Sequence, residues 1–328
     1  MSKESAAVKK SFARTHLIHN LSKRSEVFSF LGFIVICILM TFVSDRFLTI
    51  SNLTNIIRQV SINAIIAAGM TVVILSGGID LSVGSVMALS GTFSAGLMIQ
   101  GVPIIIAAVI GLLVGAAFGL VNGTLIAFAK LPPIIVTLAM MEIPRGIGLL
   151  YTGGYPLINL PNTFSFLGNG RILGIPMPIY VMLLVYLVAY FLLNRIPFGR
   201  YVYSLGGNEK AARLSGVPVQ KNKVLIYVLS GATAALGGLV LTSRLASGQP
   251  QAGGGFELDA IAAVVLGGTD INGGRGHILG TLVGAMILGV LNNGLNLMGV
   301  SPYIQRVLKG VIIILAIYVS SSRNRKKG

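Results

Sequence analysis

Cysteine, histidine and charge are all scarce in this 328-residue chain. The single Cys37 excludes an intramolecular disulfide and a cysteine-based metal cluster, and reads as a small buried hydrophobe in the first apolar run. Three histidines, of which His16 and His19 lie in a basic N-terminal stretch, exclude a histidine-rich metal site. Charged residues make up 10% of the chain against 54% hydrophobic ones, too few to cover a water-facing surface. Catalytic motifs are missing as well. No G-x-G-D, G-x-S-G or H-E-x-x-H run occurs, which removes the intramembrane aspartyl, serine and zinc proteases.

What the chain has in quantity is apolar sequence and glycine. A mean hydropathy of +0.85 and 42 glycines fit a membrane helix bundle, in which small residues let helices approach closely. The net charge of +16 would suit nucleic acid if it were spread over a surface, but it is clustered. Lys3, Lys9, Lys10, Arg14, Lys23 and Arg24 precede the first apolar run; Arg195, Arg200, Lys210, Arg213, Lys221 and Lys223 fill one loop; Arg323, Arg325, Lys326 and Lys327 close the chain. The positive-inside rule assigns such segments to the cytoplasm, which leaves no role for nucleic acid and makes the number of spans even. The expected division is a cytoplasmic basic segment (1–24), a transmembrane domain (25–320) containing a cytoplasmic loop (195–223), and a basic cytoplasmic tail (321–328).

The first run, residues 27–44, lacks a following small-residue cleavage site and reads as a retained anchor. Residues 46–59 mix Arg46, Asn52, Asn55 and Arg58 with apolar residues, which predicts a segment lying at the outer interface. Runs follow at 60–76, 83–99, 104–128, 134–150, 178–194, 224–243, 258–267 with some extension, 278–297 and 303–319. The fold class expected is therefore an all-α polytopic membrane helix bundle of about ten spans. Eight remains the alternative, because glycine and acid interrupt the runs around 60–99 and 244–270, as in broken helices. An internal repeat supports ten: "SGGIDLSVGSVMALSGT" (76–92) aligns with "AGGGFELDAIAAVVLGGT" (252–269), and 111–133 aligns with 280–302. The topology places the paired blocks on opposite sides of the membrane, so the halves form an inverted repeat.

"LSGGIDLSVGS" (75–85) begins like the phosphate-contacting signature of an ATP-binding cassette, yet no G-x-x-x-x-G-K-[ST] loop accompanies it. What matters there is Asp80, since an acid at mid-membrane costs about 2.5–3.5 kcal/mol on insertion scales. It either caps an unwound stretch or helix start at the cytoplasmic interface, with Ser82 beside it, or serves a polar path. Asn63, Asn122, Asn292, Asn293 and Asn296 are the uncharged candidates for such a path. They suit a hydroxylated solute and serve equally as interhelical glue. Glu142 and Arg145 are spaced for an ion pair within one helix turn, and Glu257, Asp259, Asp270 and Arg275 fall at span ends. An ion-coupled secondary transporter of a small polar solute is the alternative function.

In the loop "SLGGNEKAARLSGVPV" (204–219), Asn208 is a good N-cap, Glu209 favours the helix start, and Gly216 followed by Pro218 ends it. The result is a two-turn helix, marginal alone in water, on which something should pack. Lys210 and Arg213 either meet an acidic groove on a partner or form a solvated basic loop.

"GRYVYSLGGNEKAARLSGVPVQKNK", "GMTVVILSGGIDLSVGS", "SGQPQAGGGFELDAIAAVVLGGT" and "GGRGHILGTLVGAMILGVLNNGLNLMGVSPY" together resemble the monosaccharide ABC importer permeases, the ribose permeases above all, over about residues 45–319. The resemblance implies a transport subunit that is not itself an enzyme, paired with a second copy in the cytoplasmic membrane of a prokaryote. It implies an ATP-binding subunit with two fused nucleotide-binding halves, which carries the ATP and Mg, and a soluble sugar-binding protein outside. It further implies that the ATPase grips Asn208, Glu209, Lys210, Ala211, Arg213 and Leu214, and that the path opens by alternating access.

Overall fold

The structure is a computed structural model and describes residues 25–325; the basic segment 1–24 and residues 326–328 lie outside the described residues. The chain runs α1 (Ser25–Val43), α2 (Ile50–Leu75), α3 (Val83–Ile99), α4 (Ile104–Ala127) and α5 (Pro133–Thr152). A 3-10 turn (Asn162–Ser165), α6 (Phe166–Asn169) and a small antiparallel hairpin, β1 (Arg171–Ile172) with β2 (Ile175–Pro176), lead to α7 (Met177–Asn194) and α8 (Pro197–Leu214). The remainder is α9 (Val219–Leu245), α10 (Phe256–Leu266), α11 (Ile278–Leu297) and α12 (Pro302–Arg325). The fold is all-α apart from that hairpin, and each of the ten expected apolar runs is a helix. Six of them, α2, α4, α5, α7, α9 and α11, are long and apolar enough to cross a membrane; α1 and α3 are shorter apolar helices.

Two boundaries differ from expectation. Residues 50–59 do not lie flat at an interface: they are the first turns of the 26-residue α2, started by Thr49, whose hydroxyl accepts the Asn52 N–H at 3.4 Å. Tertiary packing overrides their polarity, because Ile56 and Val60 are already buried against the bundle. The run at 258–267 is helical only as the 11-residue α10, and its N-terminal extension, residues 246–255, is not helix but a glycine-rich chain.

The core is built around α2 and α9. Every residue of α2 from Val60 to Leu75 is buried, and this helix packs on α7, α9, α10 and α11, while α9 packs on α2, α3 and α4. The closest pairing, α4 on α9, follows from glycine at every fourth position of α4. A Cβ at Gly115 would meet the Gly231 carbonyl and Ala235 at 2.5 Å, and one at Gly123 would meet the Val224 backbone at 2.6 Å. Without side chains the two backbones touch, which in lipid is how van der Waals packing replaces a hydrophobic driving force. Cys37 is half-buried on the core side of α1. The loop after α5 is also tied down: the Ser243 hydroxyl at the end of α9 donates to the Phe164 carbonyl at 2.5 Å and accepts the Gly168 N–H at 2.7 Å.

Candidate functional site

The protruding element is the end of α8. Its backbone breaks at Asn208, which is extended at φ −164°, and the Asn208 side chain accepts the Ala211 N–H at 3.0 Å. This is the expected N-cap, and the helix it starts ends as expected: Gly216 takes φ +81°, with its N–H bonded to Arg213 and that of Val217 to Ala212. Before the break, residues 197–207 are helical as well, where the basic sequence alone predicts loop.

Glu209 braces the cap to the bundle. It pairs with Arg213 at 3.1 Å and, across the turn, with Lys223 of α9 at 2.7 Å. Burial pushes its carboxyl up, but the Lys223 and Arg213 charges outweigh that and hold it below the ordinary glutamate value. Ala212 is buried beneath the helix, whereas Leu214 is 90% exposed, with Lys210, Ala211 and Arg213 exposed around it. The tip is thus an apolar side chain flanked by the cations Lys210 and Arg213, and none of the described residues covers it.

Before the break, α8 rests on two turns at a glycine, with Tyr203 adding one side-chain bond. A Cβ at Gly206 would strike the Leu75 carbonyl and the Gly274 N–H, and one at Gly273 would lie 2.8 Å from Gly77 N and 2.9 Å from Gly206 Cα. The Gly274 N–H donates to the Leu75 carbonyl at 2.9 Å, and the Tyr203 hydroxyl donates to the Gly276 carbonyl at 3.0 Å. One helix therefore touches the turn leaving α2 and the turn leaving α10.

The first of these turns carries Asp80, which is 1% exposed. Its Oδ1 accepts the Ser82 N–H at 3.0 Å and the Ser82 hydroxyl at 2.6 Å, and its Oδ2 accepts the Ser230 hydroxyl of α9 at 2.7 Å. Asn122 of α4 donates to the Ser82 Oγ at 2.9 Å. Asp80 thus braces the entry to α3 and joins three segments at once. The Asn122 Oδ1 and the hydroxyl of Tyr227 are buried beside it with no protein partner, unusual for buried polar atoms.

Further along, the start of α3 meets the chain entering α10. A Cβ at Gly84 would contact the Gly253 carbonyl and lie 2.5 Å from Glu257 Oε2. Arg145 of α5 reaches the same place, its Nη2 and Nε donating to the Ser85 hydroxyl at 3.1 and 3.3 Å. The expected Glu142–Arg145 ion pair is not formed: Arg145 turns inward to Ser85, and Glu142 is exposed.

The path candidates separate into groups. Asp80, Ser82 and Asn122 converge, whereas Asn293 exchanges two hydrogen bonds with Asn52 of α2, at 2.7 and 3.0 Å, and Asn296 accepts from Gln305 at 2.8 Å. Both latter residues hold helices together. Asn63 and Asn292 are buried apart from the cluster, on α2 and α11. Ser230, Tyr227 and Gly206 were missed; an isolated serine and tyrosine in the apolar "VLIYVLSGATAAL" were the available signal. Asp259, at a span end as expected, pairs with Lys309 at 2.9 Å. No cluster of histidine, cysteine and acid capable of holding a metal occurs among the described residues.

Six helices of the bundle are long and apolar enough to cross a membrane, and the short helix after Asn208 stands exposed at its edge. Residues 52–317 match the family model described as branched-chain amino acid transport system / permease component, and the chain belongs to that family. It is similar to the ribose import permease protein RbsC of Bacillus subtilis, 49% identical over 90% of this chain and 92% of the relative, and to RbsC of Escherichia coli K12, 48% identical over 90% and 93%. The D-allose transport system permease protein AlsC of Escherichia coli K12 is 40% identical over 87% of each chain. No solved structure matches.

Proposed function

We propose that this chain is the membrane permease subunit of an ATP-driven importer of a monosaccharide, ribose or a closely related sugar. It supplies the path and the lever, while ATP and Mg bind a separate subunit with two fused nucleotide-binding halves. Two copies form the path, a soluble binding protein delivers the sugar from outside, and the whole sits in the cytoplasmic membrane of a prokaryote with both termini inside. The likeness to ribose and allose permeases supports the substrate class.

The observation that carries the mechanism is the backbone contact of Gly206, just before the break at Asn208 that starts the exposed tip, with the turns at 75–78 and 272–276. A partner that moves the tip moves both turns, and with the first turn moves Asp80 and its hold on α9. The packing favours an inverted repeat of ten spans. Exchanging α2 with α9, α3 with α10 and α4 with α11 carries the contacts of α9 with α3 and α4 onto those of α2 with α10 and α11. Such halves rock about a shared axis to alternate access. A swing from 1:99 to 99:1 needs only about 5.5 kcal/mol.

The test is uptake of radiolabelled ribose into proteoliposomes holding this chain, its ATPase and its binding protein. Uptake that requires ATP and all three components is expected. Uptake by this chain alone on an ion gradient would overturn the reading in favour of a secondary transporter, with the cation-free, buried Asp80 as its coupling group.

A further inference from the structure

Glu142 is the tenth of the twenty residues of α5, so its Cα lies about 14 Å from either end of the helix, at the depth where a bilayer is driest. Its side chain is exposed. The face that α5 buries is Val136, Thr137, Met140, Pro144 and Gly148, and at 100° per residue Glu142 projects almost opposite to it. Arg145 cannot neutralise it, being held by Ser85, and no ion pair reaches Glu142 among the described residues. Its neighbours on that face leave it uncovered: Ala139 is small and exposed, and even a Cβ added at Gly146 would meet nothing within 4 Å.

An acid facing lipid at this depth costs about 2.5–3.5 kcal/mol on insertion scales, and such residues face water-filled cavities or bundle interiors instead. The exposed side chains Ile135 and Leu138 beside Glu142 are apolar, as are Leu184 and Leu187 midway along α7, so the carboxyl is the group on this face that does not fit lipid. Within one chain Glu142 has no interior to face. We infer that the outward face of α5 lines a water-filled path closed by a second copy of this chain, and that the Glu142 carboxylate of each copy accepts hydrogen bonds from the hydroxyl groups of the passing sugar. A carboxylate suits a polyol because it offers about four acceptor sites, and here none is already engaged by protein. This rests on the two-copy importer proposed above.

The experiment uses the assembled complex in proteoliposomes, with Cys37→Ala as background and a cysteine placed at position 142 (E142C) or 187 (L187C). A charged, membrane-impermeant methanethiosulfonate reacts with thiolate, which forms in water and not in lipid, so E142C should be modified at least about tenfold faster than L187C. A hydrogen bond to a charged group is worth about 1.5–3 kcal/mol, so E142L should lower sugar uptake roughly tenfold or more with the yield of assembled complex unchanged, and E142Q should lower it less. Equally slow modification at both positions places Glu142 in lipid or in a sealed interface and overturns the inference. Full uptake by E142L overturns the sugar contact. If the unmodified complex imports no ribose yet E142C remains reactive, the ribose reading falls while the water-lined face stands.

Discussion

The two breaks in the bundle are built in different ways. Between α2 and α3, residues 76–82 are held by one carboxyl, since Asp80 gathers Ser82 and Ser230 while Asn122 bonds to Ser82. Between α9 and α10, residues 246–255 rest chiefly on backbone: Gly248 exchanges hydrogen bonds with Leu157, and the Phe256 N–H donates to the Gly253 carbonyl, while the Glu257 carboxylate, from within α10, accepts only the Gly255 N–H. The first break is touched by Gly206 of α8, at Gly77. The difference teaches that two breaks in one bundle can be held by different means. The break whose acid ties it to another helix lies under α8, and the break held chiefly by main chain lies against the loop after α5.

The sharpest way to break this comparison is to load the glycine contact. Gly206→Val must displace the Leu75 carbonyl, and overpacking of about 1–3 kcal/mol or more should abolish uptake and lower the yield of folded chain. Gly207→Ala, one residue on and with nothing within 4 Å, should stay within about 0.5 kcal/mol of the parent by thermal unfolding in detergent. Equal damage by both would show that the contact is not what matters.

Next comes the brace itself. Asp80→Ala leaves the Ser82 and Ser230 hydroxyls without an acceptor and should cost about 1–3 kcal/mol per orphaned group, with Asp80→Asn intermediate. At the second break, Ser247→Ala removes only a bond from Gln249 and should cost about 1 kcal/mol or less. Matching losses in thermal stability would erase the distinction between the breaks. Leu214→Ala should leave the bundle's stability unchanged and weaken capture of the ATPase by about 1–2 kcal/mol, read by co-purification and titration.

The smallest effect concerns pH. The Glu209 carboxyl is held below its ordinary value by Lys223 and Arg213, so the brace it gives is present above the ordinary glutamate range and is lost as pH falls through the depressed value. Hydrogen exchange of residues 209–214 should accelerate in acid below that range, and Glu209→Gln should remove the acid step. The same variant tests whether Glu209 serves the partner or the fold.

Much of this was legible in the sequence. Helix positions followed from apolar runs, and the cap at Asn208 and the stop at Gly216 followed from local chemistry that needs no tertiary information. What escaped depends on which neighbour a residue meets. Residues 50–59 look interfacial until α2 is seen burying Ile56. Glu142 and Arg145 have the spacing of an ion pair, and only the position of Ser85 on another helix draws the arginine away. Asp80 and Ser82 stood out as an acid and a hydroxyl in an apolar setting, but Ser230, 150 residues on, could be joined to them only by the fold. Asn293 and Asn296 carried the same signal as Asn122 and turned out to hold helices together.

The glycine contact under α8 has a mechanical meaning. Side chains between two moving parts act as a soft layer, since they change rotamer and absorb small displacements. At Gly206, Gly273 and Gly77 that layer is missing and main chain bears on main chain. A joint of this kind has almost no slack: a displacement of α8 at Gly206 too small to reorient any side chain meets main chain directly in both turns.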